Sequence, residues 1–241
     1  MIQLRVEVLV TQGTTATRAA KDATSTIPIV MLAVGDAIVA GLVASLGRPG
    51  GDVTGSTFLG PLLYAKQLEM LKHAIPRIER IAVLMNPDNP INEAVLRGME
   101  DTARAMKISL TQIEARGVAD LPEAFSSRAH HRVDAFVVIA DLILNANLIA
   151  IADQAMRQRF PGASGWEFAE SGGLFGYGPN INELWARAPR FVDKILNGAQ
   201  PADLPVEQAT KFEFVIDLKT AKALGIAVPQ SLLLRADEVI Q

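Results

Sequence analysis

Short, almost wholly apolar runs alternate with longer amphipathic stretches along the chain. Pro28–Ala33 and Arg80–Met85 are runs of this kind, typical of strands that are buried on both faces of a parallel sheet. Pro61–Ile75 is longer and places Leu68 and Leu71 on one face at helical spacing. The alternation predicts an α/β fold in which parallel sheets are flanked by helices.

The same pattern predicts strands and helices over most of the chain. The other predicted strands are Arg5–Val10, Ile108–Glu114, Asp134–Ile139, Gly173–Tyr177 and Phe212–Ile216, with a weaker strand at Phe160–Gly165. The other predicted helices are Thr14–Thr24, Ala37–Leu46, Pro90–Met106, Leu121–His131, Asn145–Arg159, Ile181–Asn197 and Leu218–Leu224. Two runs of alternating strands and helices, one on each side of Pro76–Glu79, indicate two lobes.

The composition supports a folded core and argues against several classes of protein. The 241 residues are 49% hydrophobic and 20% charged, as in globular proteins. The net charge is −3, and because Lys and Arg are scattered, no basic stripe indicates nucleic-acid binding. The chain has no cysteine, which excludes disulfides and Cys-based zinc sites. No run reaches the roughly 18 apolar residues that a membrane-spanning helix needs.

Polar residues follow the predicted strands, at the ends where ligands bind in parallel α/β sheets. They lie at Thr11–Thr15, Gly35–Asp36, Asn86–Pro90, Asp141 and Tyr177–Asn180. Helices begin at these ends, so their free N–H groups face the same side. Four of these residues are also good helix N-caps: Thr14, Asp36, Asn89 and Asn180. For each of them, helix capping and ligand contact both stay open as interpretations.

Carboxylates and aromatic side chains supply the candidate binding chemistry. Asp36 and Asp141 are each suited to neutralising a ligand amine or to acting as a solvated cap. Trp166, Phe168 and Tyr177 are close in sequence, and aromatic residues in an open crevice stack on planar ligands. Core packing is the alternative, and we expect it for Phe168. The predicted ligand-binding set is Thr14, Thr15, Asp36, Asn86, Asn89, Asp141, Trp166, Glu167 and Tyr177.

Motifs of common enzyme classes are missing from the sequence. The segment GRPGGDVTG lacks the Lys-Ser/Thr ending of a phosphate loop and predicts a tight turn. Neither a dinucleotide-binding G-x-G-x-x-G after a strand nor a G-x-S-x-G nucleophile elbow occurs. We expect His73, His130 and His131 at the surface, and we expect no metal, no cofactor and no catalytic residue.

Several segments together resemble a known family. They are VEVLVTQGTTATRAAKDATSTIPIVMLAVGDAIVAGLVASLGRPGGDVTG, RIAVLMNPDNP, ESGGLFGYGPN, VDKILNGAQPADLPVEQATKFEFVIDLKTAKALGI and QSLLLRADEVIQ. They resemble ABC transporter substrate-binding proteins of the family that includes tryptophan- and tyrosine-binding importer components. The similarity spans nearly the whole chain.

The resemblance implies a type I periplasmic-binding-protein fold with two lobes that close on a ligand by a hinge motion. On that pattern residues 1–77 and 180–199 form the first lobe, and 78–179 and 200–241 form the second. The predicted binding residues would then line a cleft between the lobes. The resemblance also implies an aromatic amino acid or aromatic acid as ligand, a membrane permease as partner and a periplasmic location.

The sequence departs from the family pattern in three places. Met1 falls where the third strand of the family begins, so we expect an N-terminally truncated chain without a signal peptide or the first βα units. Arg5–Val10 would then be an exposed edge strand, which favours aggregation or a homodimer. Pro189 lies inside a predicted helix and should kink it or cost about 3 kcal/mol. Phe160–Gly165 is a weak strand where an apolar one is expected.

Two further interpretations stay open beside the binding module. One is an open α/β enzyme that uses Asp36 or Asp141 as a general base, which requires a carboxylate of raised pKa beside a reactive group. The other is a truncated remnant that has lost its function.

Overall fold

The structure is a computed structural model that describes residues 6–58 and 60–241, apart from the side chains of 61 and 127–131. Its strands are β1 (Leu9–Gln12), β2 (Ile29–Val34), β3 (Val53–Thr57), β4 (Arg80–Met85), β5 (Ser109–Glu114), β6 (Ala135–Val138), β7 (Gly162–Ser164), β8 (Phe175–Pro179), β9 (Glu207–Gln208), β10 (Phe212–Asp217) and β11 (Glu238–Ile240). Its helices are α1 (Gly13–Ala23), α2 (Gly60–Ala74), α3 (Asn92–Ala105), α4 (Leu121–His131), α5 (Leu142–Asn145), α6 (Leu148–Arg157), α7 (Glu167–Glu170), α8 (Ile181–Leu196), α9 (Leu218–Leu224) and α10 (Gln230–Leu233). The predicted α/β class, with parallel sheets flanked by helices, is confirmed.

The chain divides into two compact units and passes from one to the other three times. Unit 1 contains the residues up to 60 together with 180–211, and unit 2 contains 61–179 together with 212–241. The lobe bounds expected from the sequence differ from the bounds of these units. The expected bounds place α2 in the first lobe and the segment 200–211 in the second.

Hydrogen bonds account for both differences in the bounds. Helix α2 belongs to unit 2, where Gln67 Nε2 donates to the carbonyl oxygens of Ser164 and Tyr177 over 2.9 Å each. The segment 200–211 belongs to unit 1 because its strand β9 pairs in parallel with β3.

Unit 1 is built on a parallel sheet in the order β1-β2-β3-β9. Val30 and Leu32 of β2 lie two residues apart and therefore point to the same face. They pack against Ala188, Phe191 and Ile195, which recur at helical spacing along α8. This apolar face of α8 explains why a helix so far along the sequence covers the first sheet.

Helix α8 continues through Pro189, where a kink or a loss of stability is expected. The proline ring removes the N–H that would donate to the carbonyl group of Trp185. Pro189 and Trp185 both lie on the exposed face of the helix, opposite the apolar face that packs on the sheet. The missing hydrogen bond is therefore on the side of the helix where water is available.

The sequence pattern does not predict β3, because its residues, VTGST, are mostly polar and include a glycine. All five residues are buried. Thr54 Oγ1 donates to the carbonyl oxygen of Leu204 over 2.7 Å, which satisfies a polar group inside the unit. Gly55 has φ +132°, and a Cβ there would lie 2.0 Å from the carbonyl oxygen of Met31. Only glycine fits this position of the strand.

The predicted helix Ala37–Leu46 is wrong, since the chain forms turns from 37 to 41 and a bend at 42. Gly41 has φ +63°, which interrupts helical geometry. Lys21 Nζ donates to the carbonyl oxygens of Gly41 and Leu42 over 2.9 Å each. The segment after β2 is therefore anchored to α1 by hydrogen bonds that an isolated sequence pattern does not reveal.

Unit 2 is built on a seven-stranded sheet in the order β11-β10-β8-β7-β6-β4-β5. Neighbouring strands are parallel except for β8 and β10, which are antiparallel. The predicted weak strand at Phe160–Gly165 forms β7. Its Gly162 pairs with Phe136, and a Cβ on Gly162 would lie 2.3 Å from that ring. Small residues thus make room for a neighbouring aromatic side chain.

Phenylalanine side chains form the centre of the core of unit 2. Phe136 lies against Phe160 and Phe168, with ring centroids 4.9 Å and 6.0 Å apart, and Phe125 completes the cluster. Phe168 is fully buried there. The prediction that Phe168 is a core residue rather than a ligand contact is therefore supported by its position.

The bounds of other elements differ from the sequence pattern. The predicted helix Asn145–Arg159 is replaced by two helices, α5 and α6. The predicted strand Arg5–Val10 lies partly outside the described residues, and β1 begins at Leu9. The short elements β9, α10 and β11 have no clear hydrophobic pattern and are not predicted from the sequence.

Candidate functional site

Three predicted ligand-binding residues form one buried polar cluster at the carboxyl ends of β4 and β6. Asn86 Nδ2 donates to Asp141 Oδ1 over 3.1 Å, and Asn89 Nδ2 donates to Asp141 Oδ2 over 3.3 Å. Asp141 is also the N-cap of α5, where Oδ1 accepts from the Ile143 N–H over 2.9 Å. All three polar side chains are buried. Their positions after adjacent parallel strands bring them together, as in other parallel sheets.

Internal hydrogen bonds occupy the polar atoms of this cluster. Asn86 Oδ1 accepts from the Asp88 N–H over 3.1 Å, and Asn89 Oδ1 accepts from the Ile91 N–H over 3.3 Å. Asp141 is therefore a buried cap, not a solvated one. The network holds the two loops after β4 and β6 in place. Direct contact of these residues with a ligand stays a prediction.

The N-terminus of α1 lies at the carboxyl end of β1 in unit 1. The cap residue, Gln12, makes no side-chain hydrogen bond to the helix, which begins at Gly13. Thr15 is exposed and Thr14 is buried. Thr14 lies inside the helix, so its predicted role as the N-cap is wrong. Uncapped N–H groups at a helix start favour an anionic group.

Asp36 follows β2 and caps a turn instead of a helix. Its Oδ1 accepts from the N–H groups of Ile38 and Val39 over 3.1 Å and 3.0 Å. Ile38 and Val39 are exposed, at 47% and 53%. The side chain of Asn180 caps α8 by accepting from the Glu183 N–H over 3.1 Å. The helix N-cap role is therefore present for Asn180, whereas for Asp36 it is wrong, because in the described part of the chain no helix lies between β2 and β3 and Asp36 caps a turn.

Trp166 and Glu167 lie where β7 leads into α7. The backbone of Gly165 and Trp166 lies directly on β8, because β8 carries glycines at alternate positions. A Cβ on Gly176 would lie 2.1 Å from the carbonyl oxygen of Trp166, and one on Gly178 would lie 3.2 Å from Gly165 Cα. The Gly-x-Gly pattern of β8 therefore positions Trp166 at the carboxyl end of β7.

Gln67 of α2 is a polar residue at this end of the sheet that the sequence patterns do not single out. Its side chain is fully buried. Its Nε2 donates to the carbonyl oxygen of Ser164, the last residue of β7, and to that of Tyr177, the middle residue of the adjacent strand β8. One signal was available: Gln67 shares the buried face of α2 with Tyr64 and Leu71, three residues before it and four after it. A glutamine on a core face usually has a specific polar partner.

Tyr177 forms an aromatic surface with two residues of β10. Its ring stacks on that of Phe212, with centroids 5.8 Å apart and an interplanar angle of 21°. It meets the ring of Phe214 edge to face at 6.4 Å. Tyr177 and Phe212 are partly exposed. The alternation of FEFVI places Phe212 and Phe214 on one face, which was the available sign of this surface.

Burial changes the acidity of two residues in this region. Partial burial raises the pKa of Glu167, and the neighbouring carboxylates of Glu170 and Glu213 raise it further. Burial also raises the pKa of Tyr177, although the charge of Arg235 acts in the opposite direction. Glu167 therefore holds a proton more readily than an exposed glutamate does.

The described residues contain no group of three or more His, Asp or Glu that is placed to hold a metal ion. No helix in the described part of the chain is long and apolar enough to cross a membrane. His73 is exposed, and its Nε2 lies 3.0 Å from Ser231 Oγ. The side chains of His130 and His131 lie outside the described residues.

Similarity to known proteins places this chain in a family. The family profile described as "ABC transporter substrate binding protein" matches residues 1–240. The chain belongs to the ABC transporter substrate-binding protein family. Its two α/β units agree with the type I periplasmic-binding-protein-like fold of related structures, so the family and the fold that the resemblance implies are confirmed.

Two solved structures of similar fold cover nearly all of this substrate-binding protein. One is a conserved domain protein from Vibrio cholerae, with 28% identity and a TM-score of 0.91 over 99% of this chain and 80% of that one. The other is an ABC domain in complex with L-Trp from Streptococcus pneumoniae, with 26% identity and a TM-score of 0.88 over 97% of this chain and 81% of that one.

A curated relative is the tyrosine-binding protein of Clostridioides difficile. It is 28% identical over 215 residues, which cover 89% of this chain and 61% of the relative. The substrate-binding protein described here therefore spans less than two thirds of that relative's length.

Proposed function

We propose that this chain is the solute-binding component of an ABC-type importer and that it binds an aromatic amino acid or an aromatic acid. The observation that carries the proposal is the match of residues 1–240 to the ABC transporter substrate-binding protein family. A tyrosine-binding relative and a similar structure in complex with L-Trp support the class of ligand. The partner is a membrane permease, and the location is periplasmic.

The aromatic surface of unit 2 supports the same class of ligand. Tyr177 and Phe212 stack and stay partly exposed, and partly exposed rings offer area to a planar ligand. Trp166 is partly exposed at the end of β7. Polar groups at the carboxyl ends of the strands supply the few oriented contacts that fix a small ligand.

Binding without chemical change is favoured over the alternative of an enzyme. Asp141 accepts three hydrogen bonds in its buried cluster, and Oδ1 of Asp36 caps a turn. A general base needs a carboxylate that is free to take a proton from the substrate. The two carboxylates considered for this role are instead used to hold loops.

Titration calorimetry with a panel of small molecules tests the proposal. The panel contains L-tryptophan, L-tyrosine, indole-3-propionate and L-leucine, with D-glucose as the control. We expect saturable binding of at least one aromatic compound, and a negative heat-capacity change because apolar surface is buried. Binding of glucose but of no aromatic compound would reject the proposed ligand class.

A homodimer through β1 belongs to the same proposal. Among the described strands, β1 pairs with β2 alone, and Val10 in it is 44% exposed. An uncovered edge strand pairs readily with another chain, and a lysine in it discourages pairing. Sedimentation velocity should show a dimer for the wild type and a monomer for Val10→Lys. A monomeric wild type at all concentrations would exclude this dimer.

A further inference from the structure

Helix α2 carries two polar side chains on the face that it buries in unit 2. Tyr64 and Gln67 are 1% and 0% exposed, and they lie three residues apart, so they share one side of the helix. Leu68 and Leu71 of the same helix are fully buried as well and supply apolar packing. Further apolar side chains would serve packing better, because burying a polar group costs free energy unless it is hydrogen-bonded. The hydrogen bonds of Tyr64 and Gln67 therefore indicate what these two residues do.

Gln67 joins the strands β7 and β8 at the point where their pairing ends. The last pair between these strands is Ser164 with Gly176. A side-chain amide has two N–H groups, and Nε2 of Gln67 uses both, donating to the carbonyl oxygens of Ser164 and Tyr177 over 2.9 Å each. These oxygens belong to different strands, so Gln67 continues the connection between β7 and β8 beyond their last pair. Trp166 follows two positions after Ser164.

Tyr64 fixes the backbone just after β6, the strand on the other side of β7. Its hydroxyl oxygen accepts from the Ala140 N–H over 2.7 Å. Asn89 Nδ2 donates to the carbonyl oxygen of the same residue over 3.3 Å. Ala140 is therefore held through both of its backbone polar groups. Asp141, the acceptor of the buried polar cluster, follows it directly in the chain.

The three strands that α2 contacts in this way are neighbours in the sheet, in the order β8-β7-β6. From Tyr64 to Gln67 the helix advances by about 4.5 Å, at about 1.5 Å per residue. Neighbouring strands lie about 4.8 Å apart, which is nearly the same distance. This match explains how two side chains from one face of a helix hold three neighbouring strands.

Three members of the predicted ligand-binding set lie at or next to the backbone groups that α2 holds: Asp141, Trp166 and Tyr177. We propose that Tyr64 and Gln67 are positioning residues of the candidate binding site, which set where these three residues present their side chains to a ligand. Groups that contact a ligand need to be held within about 0.5 Å by a surrounding shell of hydrogen bonds and packing. This role rests on the proposed function and adds the residues that hold the site in shape.

The first test follows the strand ends separately and without ligand. The chain has two tryptophans, and Trp185→Phe removes the one that is exposed on α8, so the fluorescence of this parent variant comes from Trp166 alone. In the parent, Gln67→Met should shift the emission maximum of Trp166 to longer wavelength, because a loosened end of β7 lets water reach the indole ring. Tyr64→Phe should leave the emission unchanged, because the hydrogen bond that it removes lies after β6.

Hydrogen exchange of the same variants, measured by NMR, should give the opposite pattern. The Ala140 N–H should exchange about tenfold faster in Tyr64→Phe, which lacks the acceptor of this group, and at the parent rate in Gln67→Met. Tyr64→Phe removes one oxygen atom and keeps the ring, so it tests the proposal even if Gln67→Met does not fold. Lys66→Met is the matched control on α2, since Lys66 forms an ion pair with Glu69 near the surface, and it should leave both signals unchanged.

Titration calorimetry with L-tryptophan connects these positions to binding. Tyr64→Phe and Gln67→Met should each lower the affinity of the parent about tenfold, whereas Lys66→Met should stay within about twofold. Parent affinity in both variants would show that the positions set by α2 do not matter for binding, and it would overturn the proposal.

The ligand-free signals separate this proposal from the proposed function. Parent emission of Trp166 in Gln67→Met, or parent exchange of the Ala140 N–H in Tyr64→Phe, overturns the positioning role. Equal changes of both signals in both variants also overturn it, since they would show a general loss of stability. A parent that binds no aromatic compound rejects the proposed function, whereas the two ligand-free signals still decide whether Tyr64 and Gln67 hold the strand ends.

Discussion

Asn86 donates a hydrogen bond to Asp141 over 3.1 Å and so ties the loop after β4 to the loop after β6. Asp141→Ala would leave the side-chain amides of Asn86 and Asn89 and the N–H of Ile143 without this acceptor. We expect this change to lower the free energy of unfolding by about 2–4 kcal/mol. Urea denaturation followed by circular dichroism measures the change.

Asp88→Asn is the matched control in the same loop. Asp88 is exposed, and its ion pair with Arg116 spans 3.6 Å between exposed side chains. Such pairs contribute little, so the control should stay within about 0.5 kcal/mol of the wild type. Equal stability of the Asp141 and Asp88 variants would show that the cluster does not hold the loops.

Hydrophobic periodicity correctly predicts the elements that have apolar faces. It fails where tertiary contacts determine the local structure. The apolar strands β2 and β4 and the helix α2 are evident from the sequence. The polar strand β3 is not, because its threonines are satisfied by residues that are distant in sequence, such as Leu204. The helix predicted at Ala37–Leu46 fails because Lys21 binds carbonyl groups that a helix would use itself.

In the candidate site, too, the sequence predicts some features, whereas others depend on tertiary contacts. The rule that ligands bind after parallel strands brings Asn86, Asn89 and Asp141 together correctly. It does not reveal that these residues bond to one another, since the pairing depends on the loop geometry. The rule does not find Gln67, because this residue lies within a helix and reaches β7 and β8 only through its side chain.

Two substitutions of Asp36 separate capping from ligand binding. Asp36→Asn keeps an oxygen that accepts from the N–H groups of Ile38 and Val39, so its stability should be within about 0.5 kcal/mol of the wild type. Asp36→Ala should be about 1 kcal/mol less stable. If Asp36 also neutralises a ligand amine, Asp36→Asn should lower the affinity for L-tryptophan, measured by calorimetry, about tenfold. Unchanged affinity in a stable Asp36→Asn variant would leave Asp36 as a cap only.

Gly176→Ala should destabilise unit 2 strongly. The new Cβ would lie 2.1 Å from the carbonyl oxygen of Trp166, and this contact is to backbone, which cannot move aside cheaply. We expect a loss of about 2–4 kcal/mol, as for other overpacked sites. Gly117→Ala is the control, because nothing lies within 4 Å of its Cβ position. Thermal unfolding of both variants gives the comparison, and similar midpoints would contradict the close packing of Trp166 on β8.

Glu167→Gln should change how stability depends on pH. Burial raises the pKa of Glu167 above its ordinary value of 4.5, so the folded chain holds this proton more tightly than the unfolded chain. The contribution of Glu167 is full at pH below 4.5 and is lost as pH rises through the raised pKa. Glutamine does not titrate, so the variant should gain stability relative to the wild type between acid and neutral pH.

Urea denaturation at several pH values measures this difference for Glu167→Gln. Glu100→Gln is the control, since Glu100 is an exposed residue of α3. Its difference from the wild type should vary less with pH. A Glu167→Gln variant that loses stability relative to the wild type as pH rises would contradict the assigned direction of the pKa.

Native mass spectrometry of the intact chain with L-tryptophan tests the central claim, that this protein binds an aromatic amino acid and releases it unchanged. We expect a saturable complex of one ligand per chain with a Kd on the order of 1 μM to 100 μM, which corresponds to about −8 to −5.5 kcal/mol. The ligand released from the complex should have the mass of L-tryptophan. A complex that L-tryptophan, L-tyrosine and indole-3-propionate all fail to form, or a released ligand of altered mass, would contradict the account.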